Sequence, residues 1–194
     1  NSILSTIMGI EGKFLVRLGD DYLSWNQIQV VWDSGSYDYY GRPVEGKLSN
    51  INMTINANEW SHIAVTFGEK TIKVYVNGVE KGSSTTNVPS SVNFGIAHND
   101  EQGTRITRCF WVGYSYEHAR YFPGMMSELR IWNRVLTADE LANATRRYGV
   151  DPKSEGLVTY WKCDEGQGDV IKDHTSYRND LASDGLKWEP VSLP

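Results

Sequence analysis

One short segment concentrates side chains that could bind a sugar. Between residues 36 and 42 the chain contains Tyr37, Tyr39, Tyr40 and Arg42 among polar neighbours. Sugar rings present C–H faces that stack on aromatic rings, and arginine can hold their hydroxyl groups. Exposed aromatic residues also mark contacts between domains. The segment therefore predicts either a ligand-binding loop or a surface that packs on a partner domain or covers an end of the fold.

A second aromatic group lies further along the chain. Trp111, Tyr114 and Tyr116 stand in or just after a strand-like run. We include Trp111 and Tyr116 among the candidate ligand-binding residues for the same stacking chemistry. For Trp111, packing in the core is the favoured interpretation, because large apolar side chains in strands are usually buried.

Carboxylate catalysis finds little support in the sequence. A retaining glycosidase needs two carboxyl groups about 5–5.5 Å apart, and residues two apart on a strand share a face. No strand carries a Glu-x-Asp-x-Glu pattern. Three adjacent acidic pairs lie in predicted turns, where their side chains are expected to diverge: Asp20-Asp21, Asp100-Glu101 and Asp164-Glu165. Glu128 stands alone, opposite Arg130 at best, and no Gly-x-Ser-x-Gly motif is present. We therefore expect no catalytic residues.

Among metal ions, calcium is the one for which the sequence offers candidate ligands. The four histidines, His62, His98, His118 and His174, lack the short regular spacing of a zinc site. His62 lies in a strand-like run, which favours a packed, hydrogen-bonded side chain. Two acidic loops, 99–102 and 164–173, offer the oxygen atoms that calcium prefers. Solvated turns explain both loops equally simply, so we predict no cofactor and keep Ca²⁺ as the alternative.

The composition of the chain argues against two classes of partner, nucleic acid and the membrane interior. The 194 residues carry a net charge of −5, which argues against nucleic acid because its binding requires a basic surface. No apolar stretch reaches the ~20 residues of a membrane span, and no secretory signal opens the chain. Cys109 and Cys163 both lie in apolar runs. That setting favours two buried thiols, with a disulfide between them as the alternative.

Alternating hydrophobicity predicts a series of strands. Phe14, Val16 and Leu18 share one face of the first clear strand. The next strand, 27–32, points Gln27 and Gln29 outward and its apolar residues inward. The strongest local pattern covers 60–81, where two strands flank Gly68-Glu69-Lys70 and Asn77-Gly78 turns the chain into a third. Asn-Gly is the preferred dipeptide of a type I′ turn.

The sequence contains one good helix signal. Thr137 and Glu140 form a capping box that predicts a helix from Thr137 to about Tyr148. One short helix among many strands predicts an all-β protein, a two-sheet antiparallel β-sandwich. Further strands are expected at 92–97, 108–114, 126–132 and 156–163. Without a linker or a repeat, residues 1–194 are expected to form a single domain.

Two motifs resemble a known family. Trp60-Ser-His-Ile-Ala-Val-Thr-Phe67 followed by Lys73-Val-Tyr-Val-Asn-Gly78 is similar to the core hairpin of laminin-G-like, concanavalin A-like and pentraxin-like jelly rolls. Tyr121-Phe-Pro-Gly124, followed by the segment from Met126 to Leu141, resembles the family's closing strand and short helix. The segment Ile7–Gly12 and the tail 152–194 resemble laminin-G modules in surface proteins of Bacteroidetes.

The resemblance implies a jelly roll and a class of functions. It implies a non-catalytic carbohydrate-binding or adhesion module of a bacterial surface protein, extracellular and anchored through its parent. A structural domain that packs on a neighbouring β-sandwich, and a glycoside hydrolase of this fold, are the alternatives. The Tyr160-Trp-Lys-Cys-Asp-Glu-Gly166 motif opens many relatives but comes late here. The tail, 153–194, either packs as an extra edge segment of this sandwich or begins a second unit, and we expect the first because only ~28 residues follow Gly166, too few for a core. A strand before Ser5 is also missing, which implies a fragment of a longer protein.

Overall fold

The computed structural model describes residues 4–91, 97–99, 105–107, 110–115, 120–143, 147–183 and 185–194, with backbone alone for 97–99 and 105–107. Its elements are β1 Ser5–Ile10, β2 Phe14–Asp20, β3 Leu23–Tyr37, β4 Pro43–Leu48, β5 Ile63–Gly68, β6 Thr71–Val76, β7 Val79–Ser84, β8 Ala97–Asn99, β9 Arg105–Thr107, β10 Trp111–Val112, β11 Leu129–Trp132, α1 Ala138–Ala142, β12 Leu157–Trp161, β13 Val170–Ile171 and β14 Leu181–Ala182. The described residues form the predicted antiparallel sandwich with one short helix.

The core lies between two antiparallel sheets. One has five strands in the order β10-β1-β2-β3-β4, and the other has three in the order β5-β6-β7. Alternate residues of β3 (Ile28, Val30 and Trp32) pack against the inner face of β6, which contributes Ile72 and Val74. Burying these side chains supplies most of the driving force for folding, at roughly 1.5–3 kcal/mol for each large side chain.

The outer face of the five-stranded sheet differs from the prediction in one respect. Gln27 and Gln29 point away from the core as expected, but they are buried rather than exposed, as is Arg17 on the neighbouring strand. Arg17 Nε donates to Gln29 Oε1 at 2.9 Å, so these side chains satisfy one another across the strands. Polar residues on this face therefore form a packed layer.

The three-stranded meander confirms the strongest sequence signal. β5 and β6 pair antiparallel from Ile63 opposite Val76 to Gly68 opposite Thr71. β7 follows directly after the Asn77-Gly78 turn and pairs with β6. Asn77 and Gly78 have φ values of 52° and 80°, the positive angles that a type I′ turn requires.

The helix begins where the capping box predicts but ends earlier than expected. Thr137 Oγ1 accepts from the Glu140 amide, and the Glu140 carboxylate accepts from the Thr137 amide. The helix ends at Ala142, because the backbone of Asn143 is extended and does not continue it. Arg147 donates to the Asn77 carbonyl oxygen at 2.7 Å, which ties this segment to the meander turn. Among the described residues, no helix has the length and hydropathy needed to cross a lipid bilayer.

The tail contributes a strand and a buried carboxylate. β12 pairs antiparallel with β11, with Leu129 opposite Trp161. Asp173 is 1% exposed and accepts from the amides of Tyr160, Thr175 and Asn179 and from the Thr175 hydroxyl. These bonds hold the segment after residue 172 against β12. The limits of the domain, 1–194, and the role of 153–194 as an edge segment stay predictions.

Cys163 is a free thiol, as the sequence favoured. Burial, together with the nearby carboxylates of Glu165 and Asp164, raises the pKa of this thiol to about 12, so it stays protonated at neutral pH. Cys109 lies outside the described residues.

Candidate functional site

The predicted aromatic loop is a tight turn between β3 and β4. Asp38 organises it: Oδ1 accepts from the amides of Tyr40 and Arg42, each at 2.9 Å, and Oδ2 accepts from Arg42 Nε at 2.8 Å. The Asp38 amide donates to the Arg42 carbonyl oxygen, and Gly41 closes the turn with a φ of 75°. The turn is therefore held by its own backbone and one carboxylate.

The hydrogen bonds at Asp38 also fix its charge. The amide of Arg42 lowers the pKa of this carboxyl most, burial opposes the shift, and the Arg42 guanidinium and the Tyr40 amide lower it further. Asp38 therefore stays ionised at a pH where an ordinary aspartate begins to take up a proton. Its oxygens serve the turn, so it is not available as an acid or base.

The turn displays its aromatic side chains to solvent. Tyr37, Tyr39 and Tyr40 are 71%, 96% and 77% exposed. The rings of Tyr39 and Tyr40 meet edge to face with centroids 5.3 Å apart, and the Arg42 guanidinium lies 5.2 Å from the Tyr40 centroid. We call Tyr37, Tyr39, Tyr40 and Arg42 the aromatic tip. The structure brings these four predicted site residues together on one turn.

Trp111 belongs to a second group, the aromatic row, formed by Trp111, Tyr114 and Tyr121. The Trp111 and Tyr114 rings lie 4.6 Å apart, and Tyr114 stacks on Tyr121 at 5.6 Å with an interplanar angle of 18°. Trp111 is partly buried and Tyr121 is 57% exposed. Sequence reasoning missed Tyr121, whose position in a Tyr-Phe-Pro-Gly turn gave no sign of a stacking partner.

Strand register places Trp111 on the outer face of the sheet. Trp111 pairs with Gly9, which pairs with Leu15, whereas Val16 on the same strand points into the core. Directly paired residues share a face, so Trp111 shares the outer face with the buried Leu15 and is itself partly buried there. That Trp111 packs in the core stays a prediction. The row stands three strands from β3, about 14 Å at the usual strand spacing. Tyr116, the remaining predicted ligand residue, lies outside the described residues.

The polar layer of the outer face lies towards the β2–β3 turn, at the end of β3 opposite to the aromatic tip. Arg17 Nη2 donates to Asp20 Oδ2 at 3.0 Å as well as to Gln29. Burial raises the pKa of Asp20, but the Asp21 amide and the Arg17 guanidinium outweigh it and hold the pKa below its ordinary value. Sequence reasoning gave Arg17 no role, although alternation places it beside Gln29. Its Nε and Nη2 donors are engaged within the protein.

The carboxylates do not all diverge as predicted. One oxygen of Asp164, one of Glu165 and a nitrogen of His174 lie within 4.8 Å of one another, so this adjacent pair converges on a histidine. The register of β12 against the following loop brings them together, and sequence spacing could not show it. Glu128 is also not alone, because its Oε2 accepts from the Tyr160 hydroxyl at 2.6 Å. Burial and this carboxylate raise the pKa of Tyr160, which stays protonated.

The acidic loops fit calcium poorly where they are described. Calcium takes six to eight oxygen ligands, but of the carboxylates in the 164–173 loop only those of Asp164 and Glu165 converge, and they do so beside the imidazole of His174. Asp173 cannot join them because its oxygens accept four hydrogen bonds from the protein. The side chains of the other proposed calcium loop, 99–102, lie outside the described residues.

His62 is packed, as predicted, but its ring is not fully hydrogen-bonded. Its Nδ1 is buried and has no partner among the described residues. Burial, and then the nearby Arg130 and Arg147 guanidinium groups, lower its pKa to about 4, so the ring is neutral. The neutral ring is therefore packed near two arginine side chains.

Comparisons with known proteins agree with this architecture. Residues 4–142 match the family model of the concanavalin A-like lectin/glucanases superfamily, in its laminin G branch. A solved Bacteroides ovatus protein, whose name proposes carbohydrate binding, is 27% identical with a TM-score of 0.64. The structural match includes 94% of this chain but only 50% of the Bacteroides ovatus protein, so the chain spans about half of that protein's length.

A second solved structure is an S-layer domain-containing protein from Clostridium thermocellum. It is 22% identical with a TM-score of 0.31, covering 72% of this chain and 61% of its own. No curated protein matches the chain significantly. The family match covers most of the sandwich, including the meander and the whole of α1. The chain therefore belongs to the laminin-G-like family of concanavalin A-like β-sandwiches.

Proposed function

We propose that this chain is a non-catalytic carbohydrate-binding or adhesion module of a bacterial cell-surface protein, and that its glycan binds at the aromatic tip. The observation that carries this proposal is a turn that exposes three tyrosines while one carboxylate holds its backbone rigid. Exposed aromatic rings gain free energy when a sugar face covers them. A preformed turn loses little conformational entropy on binding.

The chemistry of the tip suits a sugar. The faces of Tyr39 and Tyr40 meet at a steep angle, so two sugar rings, or two faces of one branched glycan, could each find a stacking partner. The Arg42 side chain is 70% exposed and keeps donors available for hydroxyl groups. The Bacteroides ovatus relative, whose name proposes carbohydrate binding, supports the same class of ligand.

A lectin-type role fits the tip better than hydrolysis. Glycoside hydrolysis requires two carboxyl groups across a scissile bond, one of them able to hold a proton. Asp38 is engaged by the turn and its lowered pKa keeps it ionised. We therefore propose that the module binds and does not cleave. An extracellular location at the cell surface follows from this role.

The test is a glycan array, followed by calorimetry on the best polysaccharide, with Tyr39→Ala and Tyr40→Ala. We expect each variant to bind about tenfold more weakly, because each loses a stacking contact worth about 1–1.5 kcal/mol. Tyr22→Ala is the matched control. Tyr22 is 97% exposed in the turn at the opposite end of β3, and its loss should leave affinity unchanged.

The other outcomes overturn the proposal. Failure of the wild type to bind any glycan would favour a structural domain whose tip packs on a neighbouring sandwich. Release of reducing sugar from a polysaccharide would favour a glycoside hydrolase. Equal losses in the Tyr22 and Tyr39 variants would remove the tip from the binding site.

A further inference from the structure

Three potential metal ligands meet at the end of β12, remote in sequence from the aromatic tip. Asp164 and Glu165 follow the strand, and His174 follows the buried Asp173. His174 Nε2 lies 3.7 Å from Asp164 Oδ1. One donor atom from each of the three residues falls within 4.8 Å of the other two, a separation that one bound cation could bridge with small side-chain movements.

The backbone that holds these ligands is fixed by hydrogen bonds. The His174 amide donates to the Tyr160 carbonyl oxygen at 2.9 Å, and the preceding Asp173 carboxylate binds four donors of its own. Glu165 Oε1 accepts from the Lys172 amide at 2.7 Å, which orients its carboxylate. Metal sites depend on such supporting bonds, because they orient the ligands before the ion arrives.

One carboxylate oxygen in the cluster lacks a partner. Glu165 Oε2 is buried and, within the described part of the chain, accepts no hydrogen bond. No lysine or arginine among the described residues forms an ion pair with Glu165 or Asp164. A buried charged oxygen without a donor is costly. Such atoms call for an explanation by an ion or an ordered water.

We propose that Asp164, Glu165 and His174 bind one divalent transition-metal ion of the zinc type. The imidazole nitrogen decides the class of ion, because calcium and magnesium prefer oxygen ligands alone, whereas zinc takes histidine and carboxylate together. Three protein ligands leave one position for water. The ion joins the loop after β12 to the loop at residue 174, so it clamps the tail.

The test uses the tag-free chain, stripped with chelator and titrated with ZnCl₂ by calorimetry. We expect one zinc per chain and affinities at least about tenfold lower in His174→Gln and Glu165→Gln, since each loses a ligand. Glu69→Gln, an exposed glutamate in the β5–β6 turn, is the matched control and should bind as the wild type does. Calcium in about 100-fold excess should not displace the zinc.

Thermal unfolding separates a lost ligand from a lost fold. Zinc should raise the melting temperature of the wild type and of Glu69→Gln but not of the two ligand variants. If a ligand variant does not fold, a zinc-dependent shift of the His174 ring nitrogens in the wild-type NMR spectrum decides the case. Absence of stoichiometric binding, unchanged binding in His174→Gln or equal competition by calcium would each overturn the site. Glycan binding is measured separately, so neither result depends on the other.

Discussion

The aromatic tip and the aromatic row are built from similar residues but are held in different ways. At the tip, Tyr39 is 96% exposed, and the turn depends on Asp38 and backbone hydrogen bonds. In the row, Trp111 is partly buried and the rings rest on one another. The segment around the row is fastened by Glu11, which accepts from Ser115 and Arg120.

This difference indicates where binding energy is available. Ring surface that is already buried contributes to folding and cannot be buried a second time on a ligand. The tip keeps its ring surface for a partner, while most of the Trp111 surface is already engaged. Aromatic residues that look equivalent in sequence therefore divide into a binding group and a structural group according to what lies beneath them.

The largest expected effect comes from removing Trp111. Trp111→Ala should destabilise the fold by about 2 kcal/mol, somewhat less than a fully buried tryptophan, because the side chain is only partly buried. Tyr39→Ala should leave the free energy of unfolding unchanged within about 0.5 kcal/mol, as expected for an exposed side chain. Urea unfolding followed by tryptophan fluorescence and circular dichroism measures both.

Measuring the glycan affinity of the same two variants tests the comparison further. Folded Trp111→Ala should bind the glycan as the wild type does. If Trp111→Ala bound the glycan tenfold more weakly while the aromatic tip stayed intact, the row would belong to the binding site. The two groups would then not differ in function.

Acid should weaken the sandwich that supports both groups before it affects the tip. The pKa of His62 is lowered to about 4 in the fold, against about 6.5 in the unfolded chain. The unfolded state therefore takes up the proton first, and stability is lost as pH falls from 6.5 towards 4. Between pH 7 and pH 5 the loss from this residue should approach about 2 kcal/mol. In His62→Leu, which cannot titrate, the decline over this window should shrink by that amount. Equal declines in both proteins would show that His62 is not the group responsible.

The local features of the fold could be predicted from sequence. The positive φ angles at Asn77 and Gly78 and the capping box at Thr137 depend on neighbours within a few residues. The tip follows the same rule, because Asp38, Gly41 and Arg42 form their contacts inside one turn. The geometry of the tip is therefore determined almost entirely by the few residues of the turn itself.

The features that depend on strand register could not be predicted. The face of Trp111 is set by its pairing with Gly9, more than 100 residues away in sequence and next to a bulged part of β1. The meeting of Asp164 and His174 depends on the bridge between Trp161 and Asp173. A shift of one residue in either register would turn these side chains to the opposite face.

The smallest expected effect tests whether the rigidity of the tip matters for binding. Asp38→Ala removes three hydrogen bonds and should weaken glycan binding about tenfold, because the freed turn must be ordered on binding. Asp38→Asn keeps an oxygen for the Tyr40 and Arg42 amides and loses only the charged bond to Arg42 Nε. Its affinity should fall only about threefold, and its melting temperature should match the wild type. Calorimetry on the two variants separates the contribution of the backbone bonds from that of the charge. Wild-type affinity in Asp38→Ala would mean that the tyrosines bind without a preformed turn. In that case the tip would differ from the row only in exposure and not in how it is held.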